Sequence, residues 1–155
     1  MRNKPKFANC VSEIKIVYKT KVKAADRIEC HDTECAARKL FEFFDKDTIE
    51  LTEQCYVLIA DAGLCALGVI NVGIGTSDSS SFDIKKAIQA ALLCNGKYIF
   101  MAHNHPSCRL TASTCDRETT RRMSEACNLV GMHLCDHFIF DHDGRYYSFH
   151  EEGLI

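Results

Sequence analysis

No stretch of the sequence is apolar for long enough to cross a bilayer, and its start lacks the pattern of a secretory signal. No two of the ten cysteines form a Cys-x-x-Cys pair, and Cys55, Cys65, Cys94 and Cys127 sit inside apolar runs. A disulfide framework would imply secretion, so reduced, mostly buried thiols in a cytoplasmic protein are the expectation. There is no internal repeat and no low-complexity linker beyond one serine run. The 155 residues are therefore read as a single domain, long enough to bury a core. The formal net charge of -2 is small but unevenly spread. Residues 1–27 carry eight Lys or Arg against Glu13 and Asp26, which leaves the remainder acidic. Such a basic arm can touch nucleic acid; a solvated strand edge guarded by lysines explains it better.

Along the chain, residues 1–9 read as a loose terminus. Val11 to Val22 alternates, with Ile14, Ile16 and Tyr18 on one parity and Lys15, Lys19 and Lys21 on the other, as a half-exposed edge strand would. Asp32 to Lys46 turns helical, with Cys35, Ala36, Leu40, Phe43 and Phe44 as its apolar stripe and Asp32 or Thr33 as N-cap. Gln54 to Ala60 and Leu64 to Ile74 form a hairpin around the Asp61-Ala62-Gly63 turn. A serine-rich loop from Gly75 to Ser81 precedes a helix over Phe82 to Cys94, whose stripe is Ile84, Ala87, Ile88, Ala91 and Leu92. A buried strand follows at 97–102, then a helix from Thr114 to Val130 with Met123, Cys127 and Val130 inward. Strands over Met132 to Asp141 and Arg145 to Phe149, joined by His142-Asp143-Gly144, close the chain. This order is α+β, hairpin-dominated strands with helices packed on them.

The chemistry concentrates between His103 and Asp116. His103 and His105 lie two residues apart at a strand end, so both imidazoles face the same side. Pro106 stops the strand. Ser113 has the character of a helix N-cap, with Asp116 at the third helical position, one turn in. A strand end and a helix start can thus offer two imidazole nitrogens and one carboxylate to one zinc ion per chain, leaving an open position for water. Topology suggests the base. The strand at 97–102 follows through a helix and should run parallel to the strand at 64–74; if those two are close neighbours, its end lies at the same sheet edge as the start of 54–60, where Glu53 sits. Glu50, three residues earlier on the same approach, is the fallback.

The spacing His-x-His, seven residues, Ser, two residues, Asp resembles the JAMM (JAB/MPN) domain signature. The longer string His103-Asn104-His105-Pro106-Ser107, with Cys135-Asp136-His137, Tyr146 to Phe149 and Glu152-Gly153-Leu154, resembles its RadC branch, from about Arg27 to the C-terminus. The resemblance implies a JAMM/cytidine-deaminase-like mixed sheet flanked by helices over 27–155, with residues 1–26 as an arm packed on or beside it. It also implies a zinc metallopeptidase or isopeptidase acting on a peptide or protein substrate. Glu53 would be general base, His103, His105 and Asp116 the metal ligands, and Ser113 a donor to the oxyanion. Two rival readings are a DNA-repair-associated or nuclease-like protein and a non-catalytic MPN interaction module. A single His-His-Asp site suits amide hydrolysis better than two-metal phosphodiester cleavage. At 155 residues the chain matches a short form without the helix-hairpin-helix module of full-length RadC proteins, which weakens a DNA-binding inference. Exposed strand edges allow a homodimer. RadC-like sequences place Gly at position 108 and Pro at 112; Cys108 and Ala112 stand there instead, so an altered loop with intact ligands is expected. Cys115, beside Asp116, should point away from the metal. His31, His133, His137, His142 and His150 are read as core or surface residues, and the Asp136-His137 pair as structural hydrogen bonding.

Overall fold

A computed structural model describes residues 11, 12, 14–75 and 82–155. Among them lie three α-helices, α1 (Thr33–Phe41), α2 (Ile84–Leu93) and α3 (Thr114–Leu129), and five strands. The strands are β1 (Gln54–Ala60), β2 (Ala66–Ile74), β3 (Tyr98–Asn104), β4 (His133–Phe140) and β5 (Tyr146–Ser148). They form one mixed sheet in the order β2-β1-β3-β4-β5. Pairing is antiparallel except between β3 and β4. This is the single α+β domain that the order of elements implied.

Alternation along the strands assigns each residue to one of two cores. Leu58, Phe100, Ala102, Phe138 and Phe140 face α1, which contributes Ala36, Ala37 and Leu40. Val57, Ile59, Ile99 and Met101 face the other way, against Ala87 and Ala91 of α2 and Met123 and Cys127 of α3. Continuing this parity puts His103 on the α2/α3 side and Asn104 on the α1 side. The strand runs two residues further than expected, so His103 is still in the ladder, opposite Cys55 of β1. Pro106 lies two residues beyond its end.

Asn104, fully buried, ties the far face together. Its side-chain amide donates to the carbonyls of Ile49 (2.7 Å) and Thr52 (3.0 Å), and its oxygen accepts from the Gln54 N–H (2.7 Å). The approach to β1 is thereby fixed to the strand that carries the histidines, with Glu53 held between two of the anchored residues.

Several local expectations need correction. Residues 14–22 form no strand; Ile14 and Ile16 are 89% and 75% exposed. Alternation makes a strand only where a ladder partner exists, and the start of the outer edge of β2 is taken. Ala66 donates to the Ile28 carbonyl, Glu29 bridges Cys65, and a 3₁₀ turn at Ala24–Asp26 then leads the chain away. One tether remains, from the Tyr18 hydroxyl to the Leu67 carbonyl (2.9 Å). Helix α1 stops at Phe41 rather than Lys46, and the Lys46 ammonium donates to the Phe41 carbonyl (2.7 Å). The chain turns there, burying Phe44 and leaving Phe43 exposed. Leu92 and Val130 are also exposed: the last turns of α2 and α3 bury Ala91 and Cys127 instead, Leu92 stands about 100° round the helix from Ala91, and Val130 is the C-cap of α3. Residues 1–10, Glu13 and 76–81 lie outside the described residues, so the expected loose terminus and serine loop fall there, except Gly75.

No disulfide joins the nine cysteines among the described residues. Burial pushes Cys127 up to about 12, an inert packing residue. No helix among the described residues is long and apolar enough to cross a membrane.

Replacing Asn104 by Ala removes three hydrogen bonds to buried backbone groups and should destabilise the protein by about 3 kcal/mol. Urea unfolding would measure it, and a loss below about 1 kcal/mol would contradict the role assigned to Asn104.

Candidate metal centre

Two local devices bring the three side chains together. The end of β3 presents His103 and His105 on one face, as its parity requires. Helix α3 then begins with a capping box. The Ser113 hydroxyl accepts from the Asp116 N–H (3.1 Å), and the Asp116 carboxylate accepts from the Ser113 N–H (2.8 Å). That reciprocal bond folds Asp116 back over the helix N-terminus, toward the histidines. Its carboxylate also accepts from the Ser113 hydroxyl (2.6 Å).

The donor atoms converge. His103 Nε2 lies 3.0 Å from His105 Nε2 and 3.2 Å from Asp116 Oδ1, and His105 Nε2 lies 3.5 Å from Asp116 Oδ2. Among the described residues this is the group of three whose atoms could hold one metal ion. Metal–ligand distances near 2.0–2.2 Å in a tetrahedral site put neighbouring donors about 3.4 Å apart, so the observed spacing fits.

Tautomers strengthen the fit. His105 Nδ1 is 2.7 Å from the Arg109 carbonyl, which can only accept, so Nδ1 carries the hydrogen and Nε2 of the neutral ring is a bare lone pair. His103 spends its Nδ1 on His137 Nε2 (2.8 Å) and turns Nε2 to the same point. Two nitrogens and a carboxylate facing one another repel unless a proton or a cation lies between them.

The protonation equilibria agree. Burial alone would push Asp116 up, but hydrogen bonds from His103 and His105 when these are protonated, the charge of His103 and the Ser113 hydroxyl hold it well below the usual carboxylate range. Burial would lower His105, yet Asp116, the Arg109 carbonyl and the charge of Glu53 outweigh it and raise it. Burial pushes His137 well down, so that ring is neutral.

The remaining candidates sort by placement. Glu53 is half-buried and shares the parity of Cys55, which faces His103 across the ladder. Its carbonyl accepts from Gly75 (2.8 Å), so the hairpin continues to the site's edge. Its charge is felt at His105, whereas Glu50 is exposed in a turn. Ser113 is exposed, its hydroxyl engaged by Asp116. Cys115 is exposed and takes no part. Cys108 adopts φ +57°, a left-handed conformation that glycine takes without strain and other residues rarely adopt. Its thiol lies 2.7 Å from His142 Nδ1.

The model of the RadC-like JAB domain matches residues 33–154. The chain belongs to that family. A UPF0758 protein of Symbiobacterium thermophilum is 34% identical over 122 residues, covering 78% of this chain and 52% of the relative. A second from Aquifex aeolicus is 33% identical over 118 residues, 76% of this chain and 51% of the relative. A third from Haemophilus ducreyi is 42% identical over 78 residues, 50% of this chain and 34% of the relative. This RadC-like JAB domain thus spans about half the length of the curated relatives it matches.

Reading residues singly missed two contributors. The sequence assigns Asn104 no role of its own, yet it holds the Glu53 approach. His137 looked like a core residue, yet it bonds directly to His103. Parity offered a signal for Asn104, since it must face away from its neighbours. Nothing in one sequence gives the parallel register that sets β4 beside β3.

Binding a cation requires His105 to be neutral. Its raised pKa makes the proton a competitor, so zinc affinity should be full above that pKa and fall about tenfold per pH unit below it. Chelator competition at several pH values would show this; a flat profile would mean that His105 is not a ligand.

Proposed function

We propose that this RadC-like JAB domain is a zinc-dependent hydrolase acting on a peptide or isopeptide bond of a protein substrate. The observation that carries the reading is the convergence of His103, His105 and Asp116 with Glu53 on the same face of the sheet. Two imidazoles and one carboxylate form a borderline-soft donor set suited to zinc, with three protein ligands as catalytic sites use. When bound there, zinc lowers the pKa of a water and polarises a carbonyl.

The chain's own residues do the rest. Glu53 accepts a proton as the water oxygen adds to the carbonyl carbon. It returns that proton to the nitrogen as the C–N bond breaks, so its carboxylate is regenerated each turnover. The Ser113 hydroxyl, released from Asp116 by rotation, donates to the developing oxyanion. Asp116 keeps the Ser113 N–H as a partner during that rotation, so the helix cap is not lost. Asn104, by clamping both sides of Glu53, keeps the base at the edge where the histidines sit.

The test separates base from ligand. Glu53→Gln should retain zinc by elemental mass spectrometry while kcat on a fluorogenic peptide or isopeptide panel falls about 10²- to 10⁴-fold. Equal rates for the two proteins would remove Glu53 from the mechanism.

A further inference from the structure

Behind His103 lies a hydrogen-bonded chain whose direction can be read from one end to the other. It begins at a backbone carbonyl. The Thr120 hydroxyl is 2.6 Å from the Asp116 carbonyl, one turn back along α3. A carbonyl cannot donate, so the single hydroxyl hydrogen of Thr120 points there. The same oxygen is 2.7 Å from His137 Nδ1 and, its hydrogen already spent, must accept. His137 therefore carries its hydrogen on Nδ1. His137 is 1% exposed, and its ring nitrogens meet Thr120 Oγ1 and His103 Nδ1 with no carboxylate on either, so the single hydrogen on Nδ1 leaves Nε2 bare to accept from His103 Nδ1 at 2.8 Å. His103 in turn carries its hydrogen on Nδ1, and its Nε2 is left bare toward His105 and Asp116.

The His137 ring has little freedom to escape this assignment. Phe149 stacks on it with centroids 4.7 Å apart and an interplanar angle of 19°. The His137 carbonyl accepts from the Phe149 N–H (3.1 Å). Asp136, also fully buried, accepts from the N–H groups of His137 (2.7 Å) and His150 (3.0 Å) and from the Ser148 hydroxyl (2.6 Å). The end of β4 and the residues after β5 are thus locked around the ring.

We infer that Thr120 and His137 are positioning residues that fix His103 in the tautomer able to ligate a metal. The inference rests on the reading of His103, His105 and Asp116 as a metal site. Its logic is circular in space: Asp116 supplies a carboxylate to the site and, through its own carbonyl, the acceptor that orders the opposite ligand. Without the Thr120 hydroxyl, His137 has no acceptor for an Nδ1 hydrogen. The hydrogen then moves to His137 Nε2, His103 must accept at Nδ1, and the His103 hydrogen turns into the site. Orienting contacts of this kind typically change metal affinity about 10- to 100-fold.

Imidazole tautomers can be read in the metal-free protein at alkaline pH by long-range proton–nitrogen correlation, without any assay of activity. The wild type should show hydrogen on Nδ1 of both His137 and His103. Thr120→Val, nearly isosteric, should shift both to Nε2 and weaken zinc binding about 10- to 100-fold in chelator competition. Thr120→Ser should restore both. A thermal melt confirms that each variant is folded. Hydrogen on Nε2 of wild-type His137 would overturn the relay, and so would a folded Thr120→Val protein with unchanged zinc affinity. The relay tautomers in a wild type that fails to bind zinc would support the relay and fault the metal reading alone.

Discussion

Three lone-pair donors aimed at one point, with little water to separate them, are the constraint on which this structure turns. His103 is 2% exposed and Asp116 6%. Each would be costly to bury alone. Together they are tolerable because each is held by a second bond on its far side: His103 by His137, His105 by the Arg109 carbonyl, Asp116 by the Ser113 N–H. These outer bonds leave no other use for the inward atoms. A surface salt bridge such as Arg121 with Glu118 pairs one charge with its opposite and needs no further partner. The buried group does not, and a cation is the partner its charge and spacing call for.

The fold serves that convergence from both faces of the sheet. On one side, α3 brings Asp116 to the end of β3 and Thr120 to the His137 ring. On the other, Asn104 fastens the approach to β1, so the segment bearing Glu53 cannot drift from the histidines. Alternation along three residues, His103-Asn104-His105, therefore divides two jobs between two faces. Beyond His105 the loop turns through Cys108 at φ +57°, a left-handed position where glycine would be free of strain.

Much of this was legible in the sequence because it depends on local rules. Two-residue spacing on a strand fixed the direction of His103 and His105, and a Ser-x-x-Asp cap fixed the reach of Asp116. Strand direction suggested the sheet edge of Glu53 through a neighbouring of the strands at 64–74 and 97–102; in the sheet β1 lies between those two and pairs directly with β3, Cys55 opposite His103. What could not be read depends on partners distant in the chain. The alternating residues 14–22 are without a ladder, and residues 28–30 meet the start of β2's outer edge instead. His137 is tied to His103 only through a parallel register 34 residues apart, and Asn104 through carbonyls some 50 residues back. Phe43, Leu92 and Val130 continue apolar spacings, but Phe43 lies past the end of α1, Val130 past the end of α3, and Leu92 beside the Ala91 that α2 buries.

The central claim is that the three convergent donors hold zinc. The most direct measurement is the metal content, by elemental mass spectrometry, of protein purified without a histidine tag, wild type beside His103→Ala. The account predicts near-stoichiometric zinc in the wild type and its loss in the variant. A wild type that stays metal-free after zinc is added back would contradict it.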